Sequence, residues 1–265
     1  MNVAPLRVWN RFALLVLVFA GLAGSLGQRL QAAVAAPRVL FLISEDPDNY
    51  EAHRTIPIFA ETLRTKHGFE VTVIKGEGPR TAFSFAGLVD ALGRTDLVVL
   101  FARRLALPPA QMGALKSYLA AGKPLVGIRT ANHAFAPREP IAAGFEAWPE
   151  FVADILGCEN RGYGPGPVGT DVATAPGVAG HSILEGVPAA WHSKGNVYHV
   201  APLLDASARV LLTGTIPGKT EPIAWTRKAG KSRVFYTSMG HPSDFPTPEF
   251  QRLLLNGIRW AVARD

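Results

Sequence analysis

The sequence predicts an α/β fold, a doubly wound, mostly parallel sheet with helices on both faces, in the three-layer manner of a flavodoxin-like sandwich. Three observations predict it. Apolar runs at 39–44, 71–75, 97–101 and 125–128 are nearly continuous, as strands covered on both faces must be. Stretches of helical spacing separate those runs in the βαβ manner. The 265 residues, less a leader of 35, have the length of one such domain.

In chain order the leader comes first. Arg7 and Arg11 precede the apolar run 12–22, and Ala33, Val34 and Ala35 supply small residues for cleavage, the plan of a secretory signal. Residues 1–35 are therefore expected to be removed, leaving a domain over 36–265. Gly21, Gly24, Ser25 and Gly27 leave the apolar run too short to cross a bilayer. A periplasmic or secreted protein with no stable membrane span is expected.

After the strand at 39–44, helical spacing covers 56–66, 83–92 and 108–121, between the strands already named. Pro108 and Pro109 open the third helix and Gly122 closes it, the asymmetry expected of proline starts and glycine stops. A further helix is expected at 148–156, with Phe151, Ile155 and Leu156 inward. From 160 to 180 glycine and proline accumulate and the period vanishes, which reads as an extended loop over the sheet edge. Short strands, partly antiparallel, are expected at 168–173, 197–203, 210–215, 222–226 and 233–236. A last helix at 248–263 places Phe250, Leu253, Leu254 and Ile258 on one side.

Charge narrows the partners. The net charge is +6, and removing Arg7, Arg11 and Arg29 with the leader leaves 6 − 3 = +3. That balance, without a dense basic stripe, gives no footprint for nucleic acid. Cys158 is the sole cysteine, so no internal disulfide forms, and beside Leu156 and Gly157 it reads as a small buried hydrophobe.

Two segments carry the chemistry. Pro124 to His133 reads as a buried strand, a sharp turn and a helix start, the layout that pushes one side chain into a crevice. The residue at the turn is Arg129, which has no lone pair for attack. Val234 to Pro242 reads as a strand delivering His241 just before a proline. The pair resembles the class I glutamine amidotransferase scaffold, with Gly127-Ile128-Arg129 where that scaffold has Gly-Ile-Cys and His241-Pro242-Ser243 where it has His-Pro-Glu. Within that superfamily the chain most resembles the ThuA-like, trehalose-utilisation branch, which lacks the cysteine. His53, Asn132-His133, the segment His181 to Gly186 and the closing helix support the resemblance, which runs from about Arg38 to Arg264. It implies sugar utilisation, with action on a keto-disaccharide or glycoside by a hydrolase or lyase, and the missing thiol excludes glutamine hydrolysis through a thioester.

On that scaffold His53, His133 and His241 are expected to meet in one pocket at the strand ends. Three readings stand side by side. His241 and His133 could share acid and base work, with Asp244 orienting the His241 ring. The imidazoles with Asp46, Asp48, Glu51 or Asp244 could hold a divalent metal, making the protein a metal-dependent hydrolase; no other cofactor is implied. Or each histidine is a hydrogen-bonded residue of a non-catalytic sugar-binding or scaffold module, the reading preferred for His192 and His199.

Arg129 would anchor substrate through its planar donor fork, or pair internally with Glu45 or Asp46. Asp244 would orient His241 or cap the turn before the last helix. Tyr50 and Trp148, among other crevice aromatics, would offer faces on which a small-molecule sugar stacks, with His53 and Asn132 completing the binding set. Oligomeric state leaves no trace in the sequence.

Overall fold

The computed structural model describes Met1 and residues 35–263. The expected export signal falls on residues outside those described. The chain divides into a leading unit, Met1–Ala35, and a second, Ala36–Asp265, to which every element below belongs.

The first strand sets the layers. In β1 (Arg38–Ser44) successive side chains alternate between faces. Val39, Phe41 and Ile43 enter one core with Ile56, Phe59 and Leu63 of α1 (Ala52–His67) and Phe250, Leu253 and Ile258 of α4 (Pro248–Val262). Leu40 and Leu42 enter the other, with Leu88 and Leu92 of α2 (Leu88–Gly93) and Met112, Leu115 and Leu119 of α3 (Pro109–Ala120). Both faces are thus covered, as the continuous apolar runs require.

The remaining strands are β2 (Glu70–Gly76), β3 (Leu97–Phe101), β4 (Leu125–Ile128), β5 (Thr170–Thr174), β6 (Ala190–Ser193), β7 (Arg209–Ile216), β8 (Lys219–Ala229) and β9 (Ser232–Thr237). They lie in the order β2-β1-β3-β4-β9-β8-β7-β5-β6. The five strands from β2 to β9 are mutually parallel, and the β8, β7, β5 and β6 extension pairs antiparallel, so only β8 and β5 run against the rest. The mixed, mostly parallel three-layer α/β architecture agrees with the sequence.

Several local expectations are corrected. Residues 83–87 are not helical, because Ser84 bridges Glu77 and α2 begins only after Gly87, a residue at φ 73°. The elbow continues as a single 3₁₀ turn, Arg129–His133, and 148–156 supplies only a π-turn, Val152–Leu156, closed by Gly157 at φ 73°. Residues 197–203 contribute one bridge, Tyr163 with Tyr198, in place of a strand. Strand β6 is too short and too exposed to show a period.

The helix ends follow their residues. Gly68 closes α1 at φ 69° with its N–H bonded to the Leu63 carbonyl, and Thr247 caps α4 ahead of Pro248. Asn256 of α4 donates to the Ile183 and Glu185 carbonyls at 3.0 and 2.8 Å. The His181 to Gly186 segment therefore docks the last helix and lines no cleft.

At Gly257 helix α4 lies so close to β9 that a Cβ would stand 2.3 Å from the Phe235 ring, whereas a Cβ at Gly113 of α3 meets nothing within 4 Å. Two helical glycines should then answer in opposite directions. Gly257→Ala should cost about 1–3 kcal/mol by overpacking, and Gly113→Ala should add about 0.5–1 kcal/mol through helix propensity. Urea unfolding of both variants checks the pair.

Candidate functional site

The turn after β4 is the centre of the arrangement. Arg129 sits there at φ 45°, in the left-handed region that non-glycine residues rarely adopt. Tyr50 and Glu51 after β1 and Arg104 after β3 share that region, at φ 51°, 52° and 57°. Among the described residues every non-glycine with positive φ thus lies on a loop leaving the carboxyl end of β1, β3 or β4. Strain of this kind persists where surrounding structure holds it, and it gathers at functional sites.

The Arg129 side chain is 1 % exposed. It donates to the Ser238 carbonyl at 2.8 Å and to Asn196 Oδ1, while the Tyr236 hydroxyl donates to its carbonyl at 2.8 Å. The Tyr50 ring centre lies 3.9 Å from the guanidinium carbon and that of Tyr198 lies 5.0 Å away. Its Nε is buried without a partner. The expected ion pair is not made, because Glu45 pairs with Lys75 and His53 and Asp46 pairs with Arg80. Nor does Arg129 line the cleft: the two tyrosines cover it, so it braces the wall rather than reaching substrate.

In front of that wall lies a cleft of about 840 Å³, bordered by Tyr50, Arg103, Arg104, Asn132, His133, Tyr198 and His241 among others. It opens at the carboxyl ends of β1, β3, β4 and β9, where an open α/β sheet collects ligands. Asn49 ties its floor, donating to the Ser44 and Phe101 carbonyls at 3.0 and 2.9 Å and accepting from the Thr130 hydroxyl.

His241 is half-buried, its ring 6.1 Å from that of Tyr50. Its Nδ1 lies 2.7 Å from the Ser243 hydroxyl and 3.3 Å from the Ser243 N–H, so the turn engages this nitrogen and leaves Nε2 free of it. Burial and the Arg129 charge hold its pKa below the ordinary histidine value. The chain crosses behind it at Gly195, where a Cβ would stand 2.9 Å from the His241 Cβ.

Asp244 does not orient the ring. Its carboxylate accepts from the Ser193 hydroxyl at 2.6 Å and from the Gly240 and His241 N–H groups at 2.9 Å each, so it fastens the turn.

Tyr50 reads differently from an ordinary phenol. Burial works to raise its pKa, but the Arg129 charge, hydrogen bonds from Tyr198 and Arg129, and Arg103 together hold it below the usual tyrosine value. Tyr198, more deeply buried, is pushed up.

His133 is 8 % exposed. Burial first, then Arg104, Arg103, Arg138 and Arg129, pull its pKa down to about 3. It stays neutral at physiological pH and is no proton donor as an imidazolium. Its Nδ1 lies 2.8 Å from Asn160 Nδ2 and 2.5 Å from Asn132 Oδ1, so both asparagine amides hold the ring. Asn132 is itself fully buried, and its Nδ2 has no partner.

The cleft therefore gathers Tyr50, Asn132, His133 and His241 of the expected set. His53 is excluded, because it rides on α1 with Nε2 3.8 Å from Glu45 and does not border the cleft. Trp148 packs against Phe135 and Phe151, with Lys116 over its ring, as an aromatic anchor. The expected meeting of three histidines does not occur, and among the described residues no group of three or more His, Cys, Asp or Glu could hold a metal ion. His192 pairs with Asp171 and His199 with buried Glu221. Cys158 borders the cleft, yet burial pushes its thiol up to about 12.

Sequence reasoning missed Arg103, Arg104, Arg138 and Asn160. The Arg103-Arg104 pair stands immediately beyond the apolar run of β3, at a strand carboxyl end, and that position was the available signal.

A family model described as ThuA, trehalose utilisation, matches residues 38–261. A ThuA-like protein from Bacteroides uniformis is 18 % identical at a TM-score of 0.66, over 88 % of this chain and 94 % of that one. One from Parabacteroides merdae is 20 % identical at 0.64, over 86 % and 90 %. The cytoplasmic protein STM1381 from Salmonella typhimurium is 15 % identical at 0.56, over 84 % and 99 %. At these identities the likeness concerns the fold. No curated protein matches the chain.

The depressed His133 pKa makes stability depend on pH. Between about pH 6.5 and 3 the unfolded chain binds the proton that the folded chain refuses, so stability is present above that window and falls as pH falls through it. From pH 6.5 to 5 this histidine should remove roughly 1.5 kcal/mol. Urea midpoints across that range should fall less steeply in His133→Gln than in the parent protein.

Proposed function

We propose a carbohydrate-directed function from one premise: this chain belongs to the ThuA, trehalose-utilisation family. The observation that carries the proposal is the placement of Tyr50 and His241 against each other in the cleft, with the buried charge of Arg129 behind the tyrosine. The cleft volume, about 840 Å³, suits a disaccharide or glycoside. Tyr50 and Tyr163 present rings on which sugar faces stack, and the buried Asn132 Nδ2 offers a donor to a hydroxyl.

In this reading the substrate is a disaccharide or glycoside carrying a keto group, and the chemistry is acid–base. A histidine held below its usual pKa stays neutral, so His241 takes the proton from the carbon beside the ketone through Nε2. The electron pair left on that carbon expels the glycosidic oxygen attached next to it, and the Tyr50 phenol, held below its usual pKa and so a stronger acid, protonates the departing oxygen. Water adding to the unsaturated sugar completes a hydrolysis; without that addition the enzyme is a lyase. His133, neutral and hydrogen-bonded, orients substrate and takes no proton. Glutamine hydrolysis has no nucleophile here, because Arg129 occupies the elbow and the Cys158 thiol stays protonated.

Export belongs to the same proposal: Arg7, Arg11, the apolar run 12–22 and the small residues Ala33 to Ala35 support a periplasmic or secreted site of action. Among the described residues no helix is long and apolar enough to cross a membrane.

Turnover of a panel of keto-glycosides tests the assignment. Tyr50→Phe and His241→Gln should each lower kcat about 100-fold or more while KM changes little. The acid limb of kcat/KM against pH should lie below 6.5, the ordinary histidine value from which His241 is lowered, and should vanish in His241→Gln. Unchanged rates in both variants would overturn the acid–base pair. Saturable sugar binding without turnover would make the protein a binding module.

A further inference from the structure

The cleft holds more positive charge than its own acids neutralise. Three acids border it, and each is engaged: Asp48 with Arg80 at 3.0 Å and Arg103 at 3.1 Å, Glu51 with Arg54 at 3.3 Å, Glu159 with Arg161 at 2.8 Å. Arg104 and Arg138 border it too, and among the described residues neither has a carboxylate within ion-pair distance. Arg104 donates to the Ala136 carbonyl at 3.1 Å, and its Nε is buried without a partner. Its backbone is held at φ 57° by an N–H bond to the His133 carbonyl at 3.0 Å, which ties the base of this side chain to the elbow turn.

A second, independent observation points the same way. Asn132, fully buried, borders the cleft with an Nδ2 that no protein group accepts. A buried donor without an acceptor costs free energy that a ligand oxygen would recover. Arginines without a carboxylate beside an orphaned amide leave donors, Arg104 Nε and Asn132 Nδ2 among them, that no protein group accepts. Neutral sugar hydroxyls would use those donors singly, whereas a planar guanidinium matches an oxyanion through two parallel hydrogen bonds.

We infer that the arginine end of the cleft, Arg104 and Arg138 with Arg103 and the Asn132 amide, binds an anionic group carried by the sugar, a carboxylate or a phosphate ester. The inference rests on the carbohydrate reading above and names the substrate class of that same site. Arg103 already shares Asp48 and contributes long-range field, while Arg104 and Arg138 make the direct contacts.

Calorimetric titration of the full chain with glucose, glucuronate, glucose 6-phosphate and inorganic phosphate tests it, at low and at physiological salt. An anionic sugar should bind about tenfold or more tightly than glucose, the return expected of a charge-assisted pair, and that advantage should shrink with salt. Whether glucuronate or glucose 6-phosphate binds more tightly identifies the anion. Arg138→Gln, at an exposed position, should remove most of the advantage, and the double variant with Arg104→Gln should remove it all, while glucose affinity holds. An advantage that survives Arg138→Gln in full overturns the assignment even if the Arg104 variant fails to fold. Equal binding of glucose and both anionic sugars overturns the inference and leaves the carbohydrate reading standing. Arginine-dependent binding of phosphate with no sugar bound upholds the anion site and overturns the carbohydrate reading. No binding of any probe overturns both.

Discussion

A guanidinium buried without a carboxylate is the constraint around which the functional end of this protein is arranged. Removing a cation from water is costly unless its donors and its charge are both met. Here the two terminal nitrogens donate to the Ser238 carbonyl beyond β9 and to Asn196, Nε goes without a partner, and the charge is met by the faces of Tyr50 and Tyr198. Cation–π contacts strengthen when water is excluded. One side chain thereby joins the loop after β1, the turn after β4, the end of β9 and the segment before Tyr198. The arginine at the elbow turn is thus the brace of the cleft wall.

The same brace shifts the proton affinities of the groups in front of it. The charge that the tyrosines screen also draws the Tyr50 phenol toward ionisation and resists protonation of His241. Deeper in the cleft, burial and the arginines after β3 keep His133 neutral. Two histidines on neighbouring strand ends thus differ in environment: one half-open beside an acidified phenol, the other enclosed, uncharged and hydrogen-bonded.

Strain shows how tightly these loops are held. Tyr50, Glu51, Arg104 and Arg129 all sit in left-handed conformations that cost free energy, and each lies between a strand end and the cleft. Buried Asn49 opposes that cost by closing hydrogen bonds to the ends of β1 and β3 and to Thr130 of the elbow. The cleft-facing residues are therefore presented by loops fastened to the sheet.

The sequence by itself determined the layers. The meeting of site residues in one crevice is implied only by the family resemblance, whereas two-sided apolar runs demand helices on both faces and Pro108 with Pro109 and Gly122 bound α3. Those last two are local facts of sequence, and they survive folding. Only the tertiary structure decided which polar groups meet. It gave Arg129 to Ser238 and Asn196 instead of Glu45 or Asp46, gave Asp244 to Ser193 and the turn backbone instead of the His241 ring, and carried His53 away on α1 and Trp148 into an aromatic cluster. It also set Arg104 and Arg138 at the cleft without an acid. The partners concerned lie as much as 109 residues apart, and a polar side chain satisfies whichever group packing brings within about 3 Å, a choice that no periodicity encodes.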